Sequence, residues 1–169
     1  EGYDAIVIAC FSDPALDAAK ELSDIPVVGI EEASMHVAAM LGHKFSITTA
    51  FRSRVPTRDL HVRLRGVESA YASTLVMNMP VLEMDAHPEK AKARILELAR
   101  KAVEEDGAEV IILGCAGLAG YAEDLERELG VVVLDPTSVA FKLAEAFVDL
   151  GLRHSKVARF ARPPAKEIK

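Results

Sequence analysis

Short apolar runs alternate with amphipathic stretches from one end of the chain to the other. Ala5–Ala9 is continuous and apolar, as strands buried on both faces of a parallel sheet are. Pro14–Leu22 follows at helical spacing. Leu16, Ala19 and Leu22 share a face, Pro14 suits a first turn and Asp13 suits the cap. Pro26–Ile30 predicts a second strand, Ala33–Leu41 a helix stopped by Gly42, and Phe45–Ala50 a third strand. Arg52–Arg65 is polar and basic, with Pro56 near a turn and a short helix after it. Pro80–Met84 predicts another short strand or an extended loop. His87-Pro88 opens a longer helix with Asp85 as its candidate cap; Ala91, Ile95, Leu98 and Ala102 recur at helical spacing until Gly107. Val110–Leu113 predicts a strand, Tyr121–Leu129 a helix, Val131–Leu134 a strand, and Thr137–Leu150 a helix ending at Gly151. The tail after His154 is basic, carries Pro163-Pro164, and predicts a last short strand and then a frayed end.

Strands alternating with helices predict an α/β fold with a mainly parallel sheet. Such sheets carry their sites at the carboxyl ends of the strands. The only two cysteines, Cys10 and Cys115, both stand there. Ala5-Ile-Val-Ile-Ala-Cys10 also matches Val110-Ile-Ile-Leu-Gly-Cys115. With a residue of slippage, Pro26-Val-Val-Gly-Ile-Glu31-Glu32-Ala33-Ser34 falls on Val131-Val-Val-Leu-Asp135-Pro136-Thr137-Ser138. The pattern reads as two related βαβα units. Facing each other about a pseudo-twofold axis, they would put both thiols on one cleft.

Composition narrows the classes. At 169 residues, half of them apolar, the chain can build a sizeable core. A net charge of −6 argues against a nucleic-acid or anionic-membrane surface. No apolar run is long enough for a bilayer span, and no secretory signal opens the sequence. Two cysteines are too few for a disulfide framework or a structural zinc site, and a reducing cytoplasm is the expected location. Glu1-Gly2-Tyr3-Asp4 leads at once into a buried strand, which predicts a natural beginning upstream of Glu1.

Two opposed thiols suit racemisation. A proton leaves one face of a carbon and another arrives on the opposite face, so one thiolate and one thiol can serve either enantiomer. A thiolate is the reactive form, and nearby helix N-termini favour it. Backbone N–H groups there can hold an enolate oxygen. Other residues carry less. Gly114-x-x-Gly117-x-x-Gly120 is only a rough dinucleotide pattern. Glu31, Glu32 and Asp135 end matching strands, where they cap helices or orient a thiol or substrate. The five histidines lack metal-ligand spacing, and no metal is expected. Arg52, Arg54, Arg58, Arg63 and Arg65 read as a solvated or subunit-contact surface.

Ala9-Cys-Phe-Ser-Asp-Pro-Ala-Leu-Asp-Ala-Ala19, Pro26-Val-Val-Gly-Ile-Glu-Glu-Ala33, Ser46-Ile-Thr-Thr49 and Gly114-Cys-Ala-Gly-Leu-Ala119 together resemble the hydantoin racemase branch of the aspartate/glutamate/hydantoin racemase superfamily. The resemblance implies two pseudo-symmetric lobes with parallel four-stranded-type sheets flanked by helices and the active site in the cleft between them. It divides the chain into 1–44, the remainder of an N-terminal lobe whose first strands are absent, 45–135, a second lobe, and 136–169, a C-terminal helix and tail returning to the first. It implies cofactor-independent racemisation and homo-oligomers. Cys10 and Cys115 become the acid/base thiols. Ser12 and Gly117 become positions whose backbone amides meet substrate oxygens, Thr48 and Thr49 lie near the pocket, and Phe11 and Ala116 complete its rim.

Relatives with a free amino-acid substrate follow the first cysteine with Asn-Thr. Phe11-Ser12 and Ala116-Gly117 make a smaller, less polar rim that suits a neutral ring imide. The expected substrate is therefore a 5-substituted hydantoin or an allantoin-like ureide. An amino-acid racemase or dicarboxylate isomerase with the same cysteine pair is the alternative, and a non-catalytic binding lobe a third reading.

Overall fold

The computed structural model describes residues 2–164. β1 (Ile6–Ile8) leads to α1 (Leu16–Leu22), then β2 (Val27–Gly29) and α2 (Ile30–Leu41). β1 and β2 pair in parallel, Ile6 opposite Val27 and Ile8 opposite Gly29. The next strand, β3 (Phe45–Thr49), starts a second sheet. α3 (Val55–Leu64) joins it to β4 (Tyr71–Val76). α4 (Val81–Ala86) and α5 (Pro88–Glu105) lead to β5 (Val110–Ile112); α6 (Ala122–Leu129) leads to β6 (Val132–Leu134), and α7 (Pro136–Asp149) follows. The strand order is β4-β3-β5-β6, every pair parallel. The α/β class and the parallel pairing agree with the alternation of the sequence.

β3 and β5 are buried at every position, as interior strands of a covered sheet must be. Pleating splits their side chains between two cores. Phe45, Ile47, Val110 and Ile112 pack with Met35 and Ala38 of α2 and Ala140 and Ala144 of α7. On the other face, Leu75, Ile111 and Leu113 meet Ala91, Ile95, Ala99 and Ala102 of α5 and Leu125 of α6. The i, i+4 stripe of α5 thus meets the sheet with small residues around one large one, Ile95. Burying that side chain is worth about 1.5–3 kcal/mol. α7 also packs against β1 and β2, tying the second sheet to the first.

Several expectations need correction. β4 was not legible: its residues are mostly half-buried, because it is the edge of its sheet, and Tyr-Ala-Ser-Thr-Leu-Val shows neither a continuous run nor clean alternation. The segment from Pro80, expected as strand or extended loop, is helix α4. Pro80 sits at its cap position, Leu82, Glu83, Met84 and Ala86 favour helix, and Met84 is buried. Asp85 lies inside that helix, so it does not cap α5. α1 starts at Leu16; Pro14 stays in the preceding turn, and Asp13 does not cap α1. Among the described residues the tail forms no strand. Instead it is strapped across α1 and β2. His154 Nε2 accepts the Val27 N–H at 2.8 Å, and Lys156 Nζ donates to the Glu21 carbonyl at 2.9 Å. The expected frayed end falls mainly on residues outside those described.

Candidate active site

Cys10 lies just past the end of β1, at the head of a tight turn. The Ser12 and Asp13 N–H groups both donate to the Cys10 carbonyl, at 2.8 and 2.9 Å. Asp13 and Ala15 take left-handed backbone angles, φ 43° and 56°, which cost energy for residues with a side chain. A clamp holds the turn in place: the Asp13 carboxylate accepts Glu31 N–H at 3.1 Å and Glu32 N–H at 2.8 Å, satisfying donors at the start of α2. Asp13 is buried, and that burial pushes its carboxyl up to about 6. The N–H bond from Glu32 and the charges of Arg65 and Lys20 oppose the rise.

Cys115 is placed by the second sheet. After β5 the chain runs through Gly114, whose N–H donates to the Thr48 hydroxyl at 2.9 Å. A Cβ on Gly114 would stand 1.8 Å from the Thr48 carbonyl oxygen, so only glycine fits between β5 and β3. Cys115 then opens the 3-10 turn Ala116–Leu118. The N–H groups at the start of such a turn have no partner within it. The longer helices begin only at Leu16 and Ala122, more than a turn beyond each cysteine. The expected support of a helix start at Cys10 is therefore replaced by the clamped Asp13 turn.

The two strand ends meet in one cleft of about 410 Å³. Cys10, Phe11, Ser12, Thr49, Cys115, Ala116 and Gly117 all line it. Thr48 does not: it is buried one step back, supporting Gly114. Cys10 is exposed and Cys115 half-buried; both are free thiols. The Ser12 hydroxyl lies 3.5 Å from Cys10 Sγ. The Ser12 amide, expected to meet a substrate oxygen, is spent on the turn itself.

The basic run is only in part the surface the sequence suggested: Arg52, Arg54 and Arg63 are exposed, whereas Arg58 is buried. Arg54 and Arg58 both line the cleft. Their i, i+4 spacing, which puts both on one helix face, was the missed signal. Arg58 is only 4% exposed and its guanidinium stacks on the Phe11 ring, 4.8 Å from the centroid. It pairs with Glu31, a fully buried carboxylate in the first turn of α2, which also holds His61. Burial draws the Arg58 guanidinium down to about 10, opposed first by the charge of Asp13, so it stays a cation at neutral pH. Burial, with the charges of Arg58 and Arg65, holds His61 below the ordinary histidine value. Asp135 is a helix cap: it accepts Thr137 N–H at 2.9 Å and the Ser138 hydroxyl at 2.8 Å. Among the described residues no three His, Cys, Asp or Glu side chains gather as a metal site, and no helix is long and apolar enough to cross a membrane.

The family model of the Asp/Glu/Hydantoin racemases matches residues 1–144. The chain belongs to that family. It is 44% identical to the hydantoin racemase of Pseudomonas sp. (strain NS671), over 99% of this chain and 67% of that one. With the hydantoin racemase of Paenarthrobacter aurescens it shares 43% identity, over 97% of this chain and 70% of that one. Among solved structures, allantoin racemase from Pseudomonas fluorescens superposes with a TM-score of 0.95 at 36% identity, over all of this chain and 72% of that one. Glutamate racemase from Francisella tularensis shares the fold, with a TM-score of 0.62 at 18% identity over 90% of this chain and 60% of that one.

Proposed function

We propose that this chain is a racemase of 5-substituted hydantoins or allantoin-like ureides, acting through Cys10 and Cys115 without a cofactor. One observation carries the reading: both cysteines, each at the end of a parallel strand, line the same cleft. The relatives named hydantoin and allantoin racemase support the substrate class. Whichever thiol is ionised takes the proton from the ring α-carbon, and the C–H electron pair moves into the neighbouring carbonyl to give an enolate. The opposite thiol returns its own proton to the other face, and the electron pair re-forms the C–H bond. The two sulfurs then hold exchanged protonation states, so the same pair serves the reverse enantiomer.

The wall fits a neutral ring. Phe11, Ala116, Gly117 and Val81 are apolar or small. Ala116 and Gly117, at the start of the 3-10 turn, offer N–H groups toward a ring oxygen on the Cys115 side. Thr49 adds a hydroxyl.

A second reading, an amino-acid or dicarboxylate racemase using the same thiols, draws on Arg54 and Arg58, since a guanidinium pairs with a carboxylate. A substrate panel separates the two. Pure enantiomers of a 5-alkyl hydantoin, allantoin, glutamate and aspartate are followed by polarimetry. Loss of rotation with the ring compounds alone is expected; loss with the amino acids alone would overturn the ring reading.

A further inference from the structure

The chain carries more carboxylates than cations, 26 Asp and Glu against 20 Lys and Arg. The cleft inverts that balance: among the described residues its wall has two arginines and no carboxylate. Arg54 stands at the exposed rim, whereas Arg58 is buried. Burying a guanidinium is costly, and an apolar replacement of a buried ion pair is often neutral or stabilising. The fold alone therefore gives little reason for Arg58. Its setting gives one. It lines the same cleft as Cys10, is stacked on Phe11, and is tethered from behind by Glu31, which is tethered in turn by His61. Arg58 Nε and Nη1 are both buried without a hydrogen-bond acceptor in the protein, Nη1 standing against the Glu31 carboxylate as an ion pair. On this side of the cleft the Ser12 amide is already engaged by the Cys10 carbonyl, at 2.8 Å.

We propose that Arg58 holds the substrate oxygen that takes up negative charge as the α-proton leaves, with Glu31 and His61 as positioning residues that fix the guanidinium. The inference rests on the racemase reading and adds to it a donor made by a side chain, complementing the backbone donors beside Cys115. A preorganised cation acts where charge develops and needs no reorganisation at the moment of reaction. The site then prefers the enolate over the neutral ring, so Arg58 acts on kcat more than on KM.

Two readouts test this, one of them independent of turnover. The first is the rate of alkylation of each cysteine by iodoacetate, an anion, divided by the rate with neutral iodoacetamide at the same pH, read by peptide mass spectrometry. The ratio cancels the thiolate fraction and reports the local field. The second is racemisation of a 5-alkyl hydantoin. Removing Arg58 alone would strand the buried Glu31 charge, so the variant is Arg58→Met with Glu31→Leu, beside Arg58→Lys. For wild type, the ratio at Cys10 should exceed that of free cysteine by about tenfold. The double variant should lose that preference and about 100-fold in kcat, with KM within about threefold. Arg58→Lys should keep the preference and recover part of kcat. A folded double variant that retains either the alkylation preference or kcat overturns the inference, and so does an Arg58→Lys variant no better than the double one. Wild type inert toward every hydantoin and ureide would instead overturn the racemase reading on which the inference rests, while the ratio would still report the charge of the cleft.

Discussion

The Asp13 carboxylate occupies the space that a side chain on Gly29 would need. A Cβ built on Gly29 falls 2.3 Å from the carboxylate. The turn that carries Cys10 is thus locked onto the junction of β2 and α2. Gly29→Ala should drive Asp13 off the Glu31 and Glu32 amides, with a loss of about 2–3 kcal/mol by chemical denaturation. Amide exchange at Glu31 and Glu32 should quicken in the same variant. An unchanged midpoint with unchanged protection would remove the clamp from the account.

The charge of that clamp sets a pH dependence. Burial raises the folded-state value of Asp13 from 3.8 to about 6, so between these values the folded state binds the proton more tightly than the unfolded chain. The stability it contributes is therefore full below about 4 and is lost as the pH rises through about 6. The advantage of wild type over Asp13→Ala should narrow by up to about 3 kcal/mol from pH 4 to pH 7. Urea denaturation at several pH values measures it; an advantage that widens with pH would contradict the sign.

Near Cys115 two glycines should behave differently. On Gly114 a Cβ meets the Thr48 backbone oxygen at 1.8 Å, so Gly114→Ala should separate β5 from β3 or fail to fold. On Gly117 a Cβ would lie 3.6 Å from both Cys115 Sγ and Val81, which is ordinary contact. Gly117→Ala should keep the wild-type melting temperature within about 2 °C while lowering kcat/KM, because a new methyl intrudes beside the thiol. Thr48→Val strands the Gly114 N–H and should cost about 1–3 kcal/mol.

The tail strap has its own titration. His154 accepts the Val27 N–H at Nε2, so it works only as a neutral ring. Burial, with the charges of Lys20 and Lys156, holds its folded value below that of a free histidine. Its contribution is complete above about 6.5 and is lost as the pH falls below that. The stability difference between wild type and His154→Ala should be about 1 kcal/mol at pH 8 and shrink toward pH 5. A difference that grows on acidification would contradict the strap.

What the sequence disclosed and what it hid divide along physical lines. β2, β5 and β6 were legible because covered strands are continuous apolar runs. β1 shows such a run although Ile6 is exposed, and β3 is buried throughout although Ser46, Thr48 and Thr49 interrupt its apolar residues. The cysteines stood out because each ends such a run. β4 was hidden because an edge strand has no such pattern. Arg58 was hidden because it sits in a polar run, and nothing local shows that Glu31, in another helix, buries itself against it. Asp13 was assigned to the wrong helix. A capping rule reads the nearest helix downstream, whereas the turn at Cys10 folds back and delivers the carboxylate to α2.

The central claim is that Cys10 and Cys115 work on opposite faces of one carbon. It is tested most directly by proton exchange in D2O. Each pure enantiomer of a 5-alkyl hydantoin is incubated with wild type, Cys10→Ser and Cys115→Ser. Loss of the α-proton is followed by NMR alongside optical rotation. The account predicts racemisation with exchange by wild type, none by either variant, and any residual exchange confined to one enantiomer, opposite for the two variants. Racemisation by either serine variant at the wild-type rate would contradict it.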